Sequence, residues 1–136
     1  MNKTTTFLMF VGQQFGRAEE AMKFYTSLFK NSEIKSIERW GKDEPGGKEG
    51  LVKRATFTID GQEYFVSENS MEHNFTFTPA ISIFVECDTE AEQATLFTKL
   101  SEEGAVMMPL DNYGFSKKFG WLADKYGVSW QLNLAK

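Results

Sequence analysis

The sequence has little cysteine and little histidine, with one residue of each, Cys87 and His73. A single cysteine cannot close an internal disulfide, so the crosslinks that stabilise many small secreted proteins are excluded. Residues 1–4 also lack the apolar stretch of a signal peptide. Both absences favour a cytoplasmic location.

The sequence also lacks an excess of positive charge and lacks long apolar runs. Fifteen basic side chains stand against 19 acidic ones, for a net charge of −4. Non-specific binding to nucleic acid depends on cationic patches, so no nucleic-acid partner is expected. No apolar run reaches the ~18 residues that a membrane-spanning helix needs, so no membrane partner is expected either.

Apolar residues are nevertheless plentiful. They make up 41% of the chain, and aromatic residues, 13 of them phenylalanines, make up 15%. A chain of 136 residues with this composition can bury a sizeable core, and its length predicts one compact domain over residues 1–136.

The order of predicted elements occurs twice along the chain. In the first half, an apolar run precedes an amphipathic helix, and Asp60-Gly61 predicts a tight turn between two later strands. The first half is predicted to form strands at residues 7–11, 32–39, 52–59 and 62–68 and a helix at residues 17–30. Asn31 is predicted to terminate this helix.

The second half repeats this order. Thr89 and Glu92 fit a capping box for its helix, and Gly104 is predicted to end that helix. Strands are predicted at residues 80–86, 106–108, 117–123 and 128–134. The repeat predicts two modules, at about residues 4–69 and 80–135, whose strands build a curved sheet with a hollow.

Three stretches of the sequence resemble the PhnB-like proteins of the glyoxalase/bleomycin-resistance/dioxygenase superfamily, also called vicinal oxygen chelate proteins and often labelled demethylubiquinone methyltransferases. These are Ala18-Glu19-Glu20-Ala21 with Phe24-Tyr25 and Leu28-Phe29, then residues 75–88, then residues 120–132. The resemblance implies an α+β fold of two βαβββ modules, with an open, curved mixed sheet around a cleft. It also implies a homodimer.

Many members of this superfamily hold a divalent metal ion in the cleft through His, Glu or Gln side chains. The resemblance places the corresponding positions at Thr6, Phe65, Ala80 and Gln131. Only Gln131 has a side chain that readily ligates a metal, so no metal site and no cofactor are expected. The alternative is a metal-dependent lyase, isomerase or dioxygenase that uses Gln131 with Glu63 or Glu68 in a shifted register.

The resemblance and the alternation of side chains along a strand together predict which residues face the cleft. The predicted substrate-binding residues are Phe10, Phe65, Ser67, Ser82, Phe84, Trp121 and Gln131. The opposite faces, including Phe7 and Met9, are expected to pack under the helices. The cleft residues combine aromatic walls with a few polar anchors, as small-molecule pockets do. They are equally suited to fill a closed interior or a dimer interface.

The leading hypothesis is therefore a metal-free protein that binds a small, partly aromatic or apolar molecule. No general base is assigned, so whether a reaction follows stays open. A non-catalytic interaction protein is a second alternative. Cys87 precedes a helix N-terminus, but with no histidine nearby in sequence a buried structural cysteine is favoured. No Gly-rich loop of the usual nucleotide-type methyl-donor fold is present, so S-adenosylmethionine is not expected to bind.

Overall fold

The computed structural model describes residues 3–135. Met1 and Asn2, which belong to the segment considered for a signal peptide, and Lys136 lie outside the described residues. The chain divides into two compact units, the first ending at Thr76 and the second beginning at Phe77. This division falls within the connector between the two predicted modules.

The first unit contains a βαβββ module. Its strands are β1 (Thr6–Phe10), β2 (Ile34–Arg39), β3 (Val52–Ile59) and β4 (Gln62–Glu68), and its helix is α1 (Ala18–Leu28), preceded by a short 3₁₀ turn at Gly12–Gln14. The four strands form one sheet in the order β1-β4-β3-β2. Strands β1 and β4 are parallel and the other pairs antiparallel, so the sheet is mixed.

The second unit repeats the same plan. Its strands are β5 (Ser82–Glu86), β6 (Ala105–Asp111), β7 (Lys118–Ala123) and β8 (Ser129–Leu134), and its helix is α2 (Glu90–Ser101). The strand order is β5-β8-β7-β6, again with one parallel pair, β5 with β8. The expected α+β fold of two βαβββ modules is thus confirmed.

Each helix packs on one face of its own sheet. Tyr25 of α1 is fully buried and stacks on Phe57 of β3 at a centroid distance of 6.2 Å. In the second unit, Gly120 lies so close to Phe97 of α2 that an added Cβ would meet the ring at 2.5 Å. Each sheet therefore has a helix-covered face and, opposite to it, a helix-free face.

Local signals in the sequence account for several element ends. The Thr89 hydroxyl accepts a hydrogen bond from the Glu92 backbone N–H at 3.1 Å, as predicted for the start of α2. The turn between β3 and β4 has both central residues at positive φ, 50° for Asp60 and 79° for Gly61, as a type I′ turn requires.

The predicted end of β6 was wrong. Strand β6 does not stop before Pro109 but continues through it to Asp111. Proline lacks the N–H that a central strand needs, but β6 is an edge strand, where a missing donor is tolerated. In the described part of the chain, no helix is long and apolar enough to cross a membrane.

Candidate functional site

The pairing of β1 with β4 decides which side chains share a face in the first sheet. Phe7 lies opposite Phe65, and Met9 lies opposite Ser67. The Phe7 and Phe65 rings meet edge to face at 6.5 Å. Phe65 and Ser67 are both partly buried and lie on the helix-free face.

The prediction for β1 itself was wrong. Phe10 was expected beside Phe65, but its register partner is Glu68, and its side chain is fully buried. Leu8 shares this helix-covered face and is 8% exposed, whereas Phe7 is 47% exposed on the other side. The expected faces of β1 are therefore exchanged, and Phe10 belongs to the core on the helix-covered face.

Arg54 of β3 also lies on the helix-free face of the first sheet. Its guanidinium carbon is 4.5 Å from the centroid of the Phe65 ring and 5.7 Å from that of Phe7. Directly across from it are Ser67, which follows from the pairing of Ala55 with Val66, and Glu38 of β2. Sequence analysis did not single out Arg54, because it occupies one of the polar positions of an alternating strand.

In the second sheet the predicted faces agree with the structure. Ser82 pairs with Ser129, and Gln131 pairs with both Phe84 and Trp121, which places all five on the helix-free face. The intervening residues Trp130 and Leu132 are fully buried on the helix-covered face. Four of the predicted site residues, Ser82, Phe84, Trp121 and Gln131, thus come together.

Hydrogen bonds join three of these four residues, Ser82, Trp121 and Gln131, into one network that includes Ser129. The Trp121 indole N–H donates to the Ser129 hydroxyl at 2.8 Å, and the two serine hydroxyls are 2.7 Å apart. The Gln131 amide nitrogen donates to the Ser82 hydroxyl at 3.2 Å. We call these four residues, Ser82, Trp121, Ser129 and Gln131, the polar network.

Either hydroxyl could donate in this bond, and burial favours Ser129 as the donor. Ser129 is 1% exposed, so its own proton has to be used inside the network, and Ser82 is the acceptor within reach. The hydroxyl of the partly exposed Ser82 then accepts within the network, and its own proton is available to donate to a ligand. Within residues 3–135 the Gln131 side chain is bonded through its nitrogen, and its oxygen has no hydrogen-bond partner. The network therefore offers one donor and one acceptor to a ligand.

An aromatic cluster borders the polar network. Phe119 is buried at its centre, with the Phe115 ring at 5.0 Å, Tyr113 at 6.3 Å and Phe84 at 6.4 Å. Phe115 is 64% exposed and Phe84 is 53% exposed. Tyr113 and Phe115 lie in the loop between β6 and β7.

The donor set does not fit the superfamily's metal site. Thr6 and Ala80 offer no carboxylate or imidazole, and Phe65 offers only a ring. Glu68, a candidate ligand in the shifted register, is 1% exposed. Its carboxylate accepts hydrogen bonds from the backbone N–H groups of Gly16, Ala18 and Val52 at 2.7, 3.3 and 2.8 Å, so it is already used within the first unit.

Glu63, the other shifted candidate, is paired with Lys35 at 3.1 Å. Across residues 3–135 there is no group of three or more His, Cys, Asp or Glu side chains arranged to hold a metal ion.

His73 and Cys87 take no part in the hydrogen bonds of the polar network. His73 is partly buried, bonds Asn69 at 2.9 Å and lines an open pocket of about 450 Å³ in the first unit, with Phe15 and Met71 among its walls. Cys87 is 7% exposed. Burial, reinforced by the charges of Glu92, Glu86 and Asp88, raises the pKa of Cys87 to about 12, which agrees with the structural interpretation of this thiol.

Comparison with solved structures defines the class of protein. A glyoxylase/bleomycin resistance protein/dioxygenase domain from Frankia sp. EAN1pec superposes with a TM-score of 0.65 at 10% identity, covering 100% of this chain and 98% of that one. A protein from Pseudomonas aeruginosa superposes with a TM-score of 0.82 at 24% identity, covering 98% of each chain. The fold is thus that of the glyoxalase/bleomycin-resistance class.

Closer similarity then specifies the family. Residues 2–133 match the family described as 3-demethylubiquinone-9 3-methyltransferase. A PhnB protein from Bacillus cereus, which carries the same description, is 60% identical, with a TM-score of 0.92 over 98% of this chain and 100% of that one. The chain therefore belongs to this PhnB-like family, which confirms the resemblance inferred from its sequence. No curated protein matches the chain.

Proposed function

We propose that this protein is a metal-free binder of a small, partly aromatic or apolar molecule, held on the helix-free face of the second sheet. The observation that carries the proposal is the pair of unused groups on the polar network, the Ser82 hydroxyl proton and the Gln131 side-chain oxygen. Together they suit a ligand group that has both an acceptor and a donor, such as a carboxamide.

The aromatic side chains next to the network supply the apolar part of the site. Phe84 and Trp121 flank Gln131 on the two neighbouring strands. Phe84 is 53% exposed, so a ligand can cover the ring. Burying apolar surface stabilises a complex by about 25 cal/mol per Å², so an aromatic body resting on Phe84 contributes more than either hydrogen bond alone. The polar pair then sets orientation and selectivity.

The proposal is tested by screening a metabolite library for compounds that raise the melting temperature, since a ligand that binds the native state must stabilise it. We expect hits with an apolar ring and an amide-like or similar polar group. The variants Ser82→Ala and Gln131→Ala should lose the shift, whereas Thr98→Ala, an exposed change on α2, should keep it. A library without any hit favours the non-catalytic interaction protein instead.

The metal-dependent alternative makes a different prediction. Zn²⁺, Ni²⁺ or Fe²⁺ should leave the melting temperature unchanged if the donor set is as unsuited as its chemistry indicates. A stoichiometric divalent ion in the purified protein, found by metal analysis, would contradict the metal-free proposal.

The family name describes a methyl transfer, which we do not extend to this chain. The usual fold for a nucleotide-type methyl donor has a parallel sheet and a Gly-rich turn from strand to helix. Both sheets here are mixed, with a single parallel pair in each. We expect no binding of S-adenosylmethionine in a calorimeter.

The proposal includes a homodimer in the cytoplasm. Large apolar side chains on the described chain, among them Ile81 at 71% and Val106 at 48% exposure, support association between copies. The one cysteine is a free, buried thiol, as suits a reducing compartment. Light scattering on a sizing column should give twice the mass of one 15.5 kDa chain.

A further inference from the structure

The helix-free face of the first sheet has a feature that the proposed function does not use. Arg54 is exposed, and its guanidinium lies over the rings of Phe65 and Phe7 at 4.5 and 5.7 Å. Two aromatic faces below one cation hold it in place by cation–π attraction and restrict its motion. The guanidinium forms no hydrogen bond within residues 3–135, so its N–H groups are free to donate to a ligand.

No carboxylate of the described residues uses those N–H groups. Glu38 is the register neighbour of Arg54 on β2, yet the two side chains do not approach within the 4.0 Å of an ion pair. Arg39, by comparison, donates from both of its terminal nitrogens to Glu19, at 2.9 and 3.0 Å. Arg54 is therefore a positioned cation whose charge is not matched by an ion pair within residues 3–135.

Hydroxyl groups adjoin this cation on the same face. Ser67 lies directly across from Arg54 on β4, and Thr56 follows two positions along β3, opposite Phe65. Both residues are partly exposed. A planar fork of N–H donors with neighbouring hydroxyls matches the oxygens of a carboxylate or of a phosphoryl group, whose geometry an arginine recognises in a bidentate way.

We propose that Arg54, held by Phe65 and Phe7, forms an oxyanion-binding site on the first sheet. Its ligand is a small molecule that bears a carboxylate or a phosphoryl group, with an apolar part that can contact the 47% exposed Phe7 ring. This site consists of first-unit residues only and does not depend on the polar network of the second sheet.

The site is tested by NMR titration of the ¹⁵N-labelled protein with three probes of matched size: benzoate, phenylphosphonate and neutral benzamide. Benzoate, phenylphosphonate or both should shift the resonances of β3 and β4 around Arg54, and benzamide should not. The comparison between the two anions tells which oxyanion is preferred. Binding should weaken as KCl is added, because the contact is ionic.

Variants separate this site from general charge effects. Arg54→Gln should weaken anion binding at least about tenfold, and Arg54→Lys, which keeps the charge but loses the fork and the stacking, should weaken it by an intermediate amount. Arg39→Gln removes the same charge from a neighbouring strand and should leave binding unchanged. ¹⁵N spectra of each variant show whether it is folded.

Three results would overturn the site. They are equal binding of benzamide and benzoate, undiminished anion binding in folded Arg54→Gln, or shifts that fall outside the first unit. The Ser82 and Gln131 variants in the metabolite screen test binding at the second sheet only. The proposed function and the Arg54 site can therefore fail independently of each other.

Discussion

The indole N–H of Trp121 donates to the hydroxyl of Ser129 over 2.8 Å, and this bond anchors the polar network of the second sheet. Trp121 and Ser129 lie on neighbouring antiparallel strands, β7 and β8. Because Ser129 is buried, the arrangement in which it accepts from Trp121 and donates to Ser82 is favoured. That arrangement leaves the Ser82 proton for a ligand, and the Gln131 oxygen is left because this side chain is bonded through its nitrogen.

The first prediction concerns this bond. Ser129→Ala removes the acceptor of the Trp121 N–H and the donor to Ser82, so the free energy of unfolding should fall by about 1–3 kcal/mol. Urea denaturation measures the change, and tryptophan emission should shift as the indole loses its partner. Ser101→Ala, a helix residue whose hydroxyl bonds only its own helix backbone, should change stability by about 0.5 kcal/mol or less.

The second prediction tests the exchanged faces of β1. Phe10→Ala should lower the free energy of unfolding by about 3–5 kcal/mol, because it leaves a cavity in the core. Phe65→Ala, on the helix-free face, should lower the free energy of unfolding by only about 1 kcal/mol, because the contact with Arg54 is lost. Equal losses in urea denaturation would contradict the assignment of the two residues to opposite faces.

The third prediction concerns Glu68. Its carboxylate joins the start of α1 to β3 through the N–H groups of Gly16, Ala18 and Val52. In Glu68→Gln the side-chain NH₂ group faces at least one of these N–H donors and cannot accept from it. The free energy of unfolding should therefore fall by about 2–3 kcal/mol. Glu63→Gln breaks only an exposed ion pair with Lys35 and should cost about 1 kcal/mol or less.

The fourth prediction concerns the reactivity of Cys87. With its pKa raised to about 12 from an ordinary 9.0, the folded thiol should contain about 1000-fold less thiolate at pH 8 than the unfolded chain. Ellman's reagent should therefore react slowly with native protein and rapidly in urea. Fast labelling of the native protein would contradict the burial of this thiol.

The same pKa shift predicts a pH dependence of stability. Above pH 9 the unfolded chain ionises at Cys87 while the native state keeps its proton until about pH 12. The unfolded state then binds fewer protons, so the free energy of unfolding should fall as the pH rises from 9 to 12. Cys87→Ala should reduce this slope. A smaller slope of the same sign should remain, because burial also raises the pKa of Tyr64.

Where neighbouring residues differ in polarity, the sequence was informative. Strands β3 and β4 begin and end at the predicted residues, because β3 alternates apolar and polar side chains and Asp60-Gly61 marks the turn. In β8, serine, glutamine and asparagine alternate with tryptophan and leucine, so its two faces follow from the order of residues alone. Three of the four residues of the polar network, Ser82, Trp121 and Gln131, were among the predicted site residues, for which the family resemblance was also needed.

The sequence by itself determined the repeated order of strands and helices and the two faces of β8, since local patterns of polarity and turn residues record them. It indicated the family through three stretches that resemble PhnB-like proteins. It did not determine the faces of β1, because residues 7–11 are all apolar and either alternation buries a hydrophobic set. Only the parallel pairing of Phe7 with Phe65 decided that question. The position of Arg54 over both rings likewise required three strands to come together, which residue spacing along one strand cannot encode.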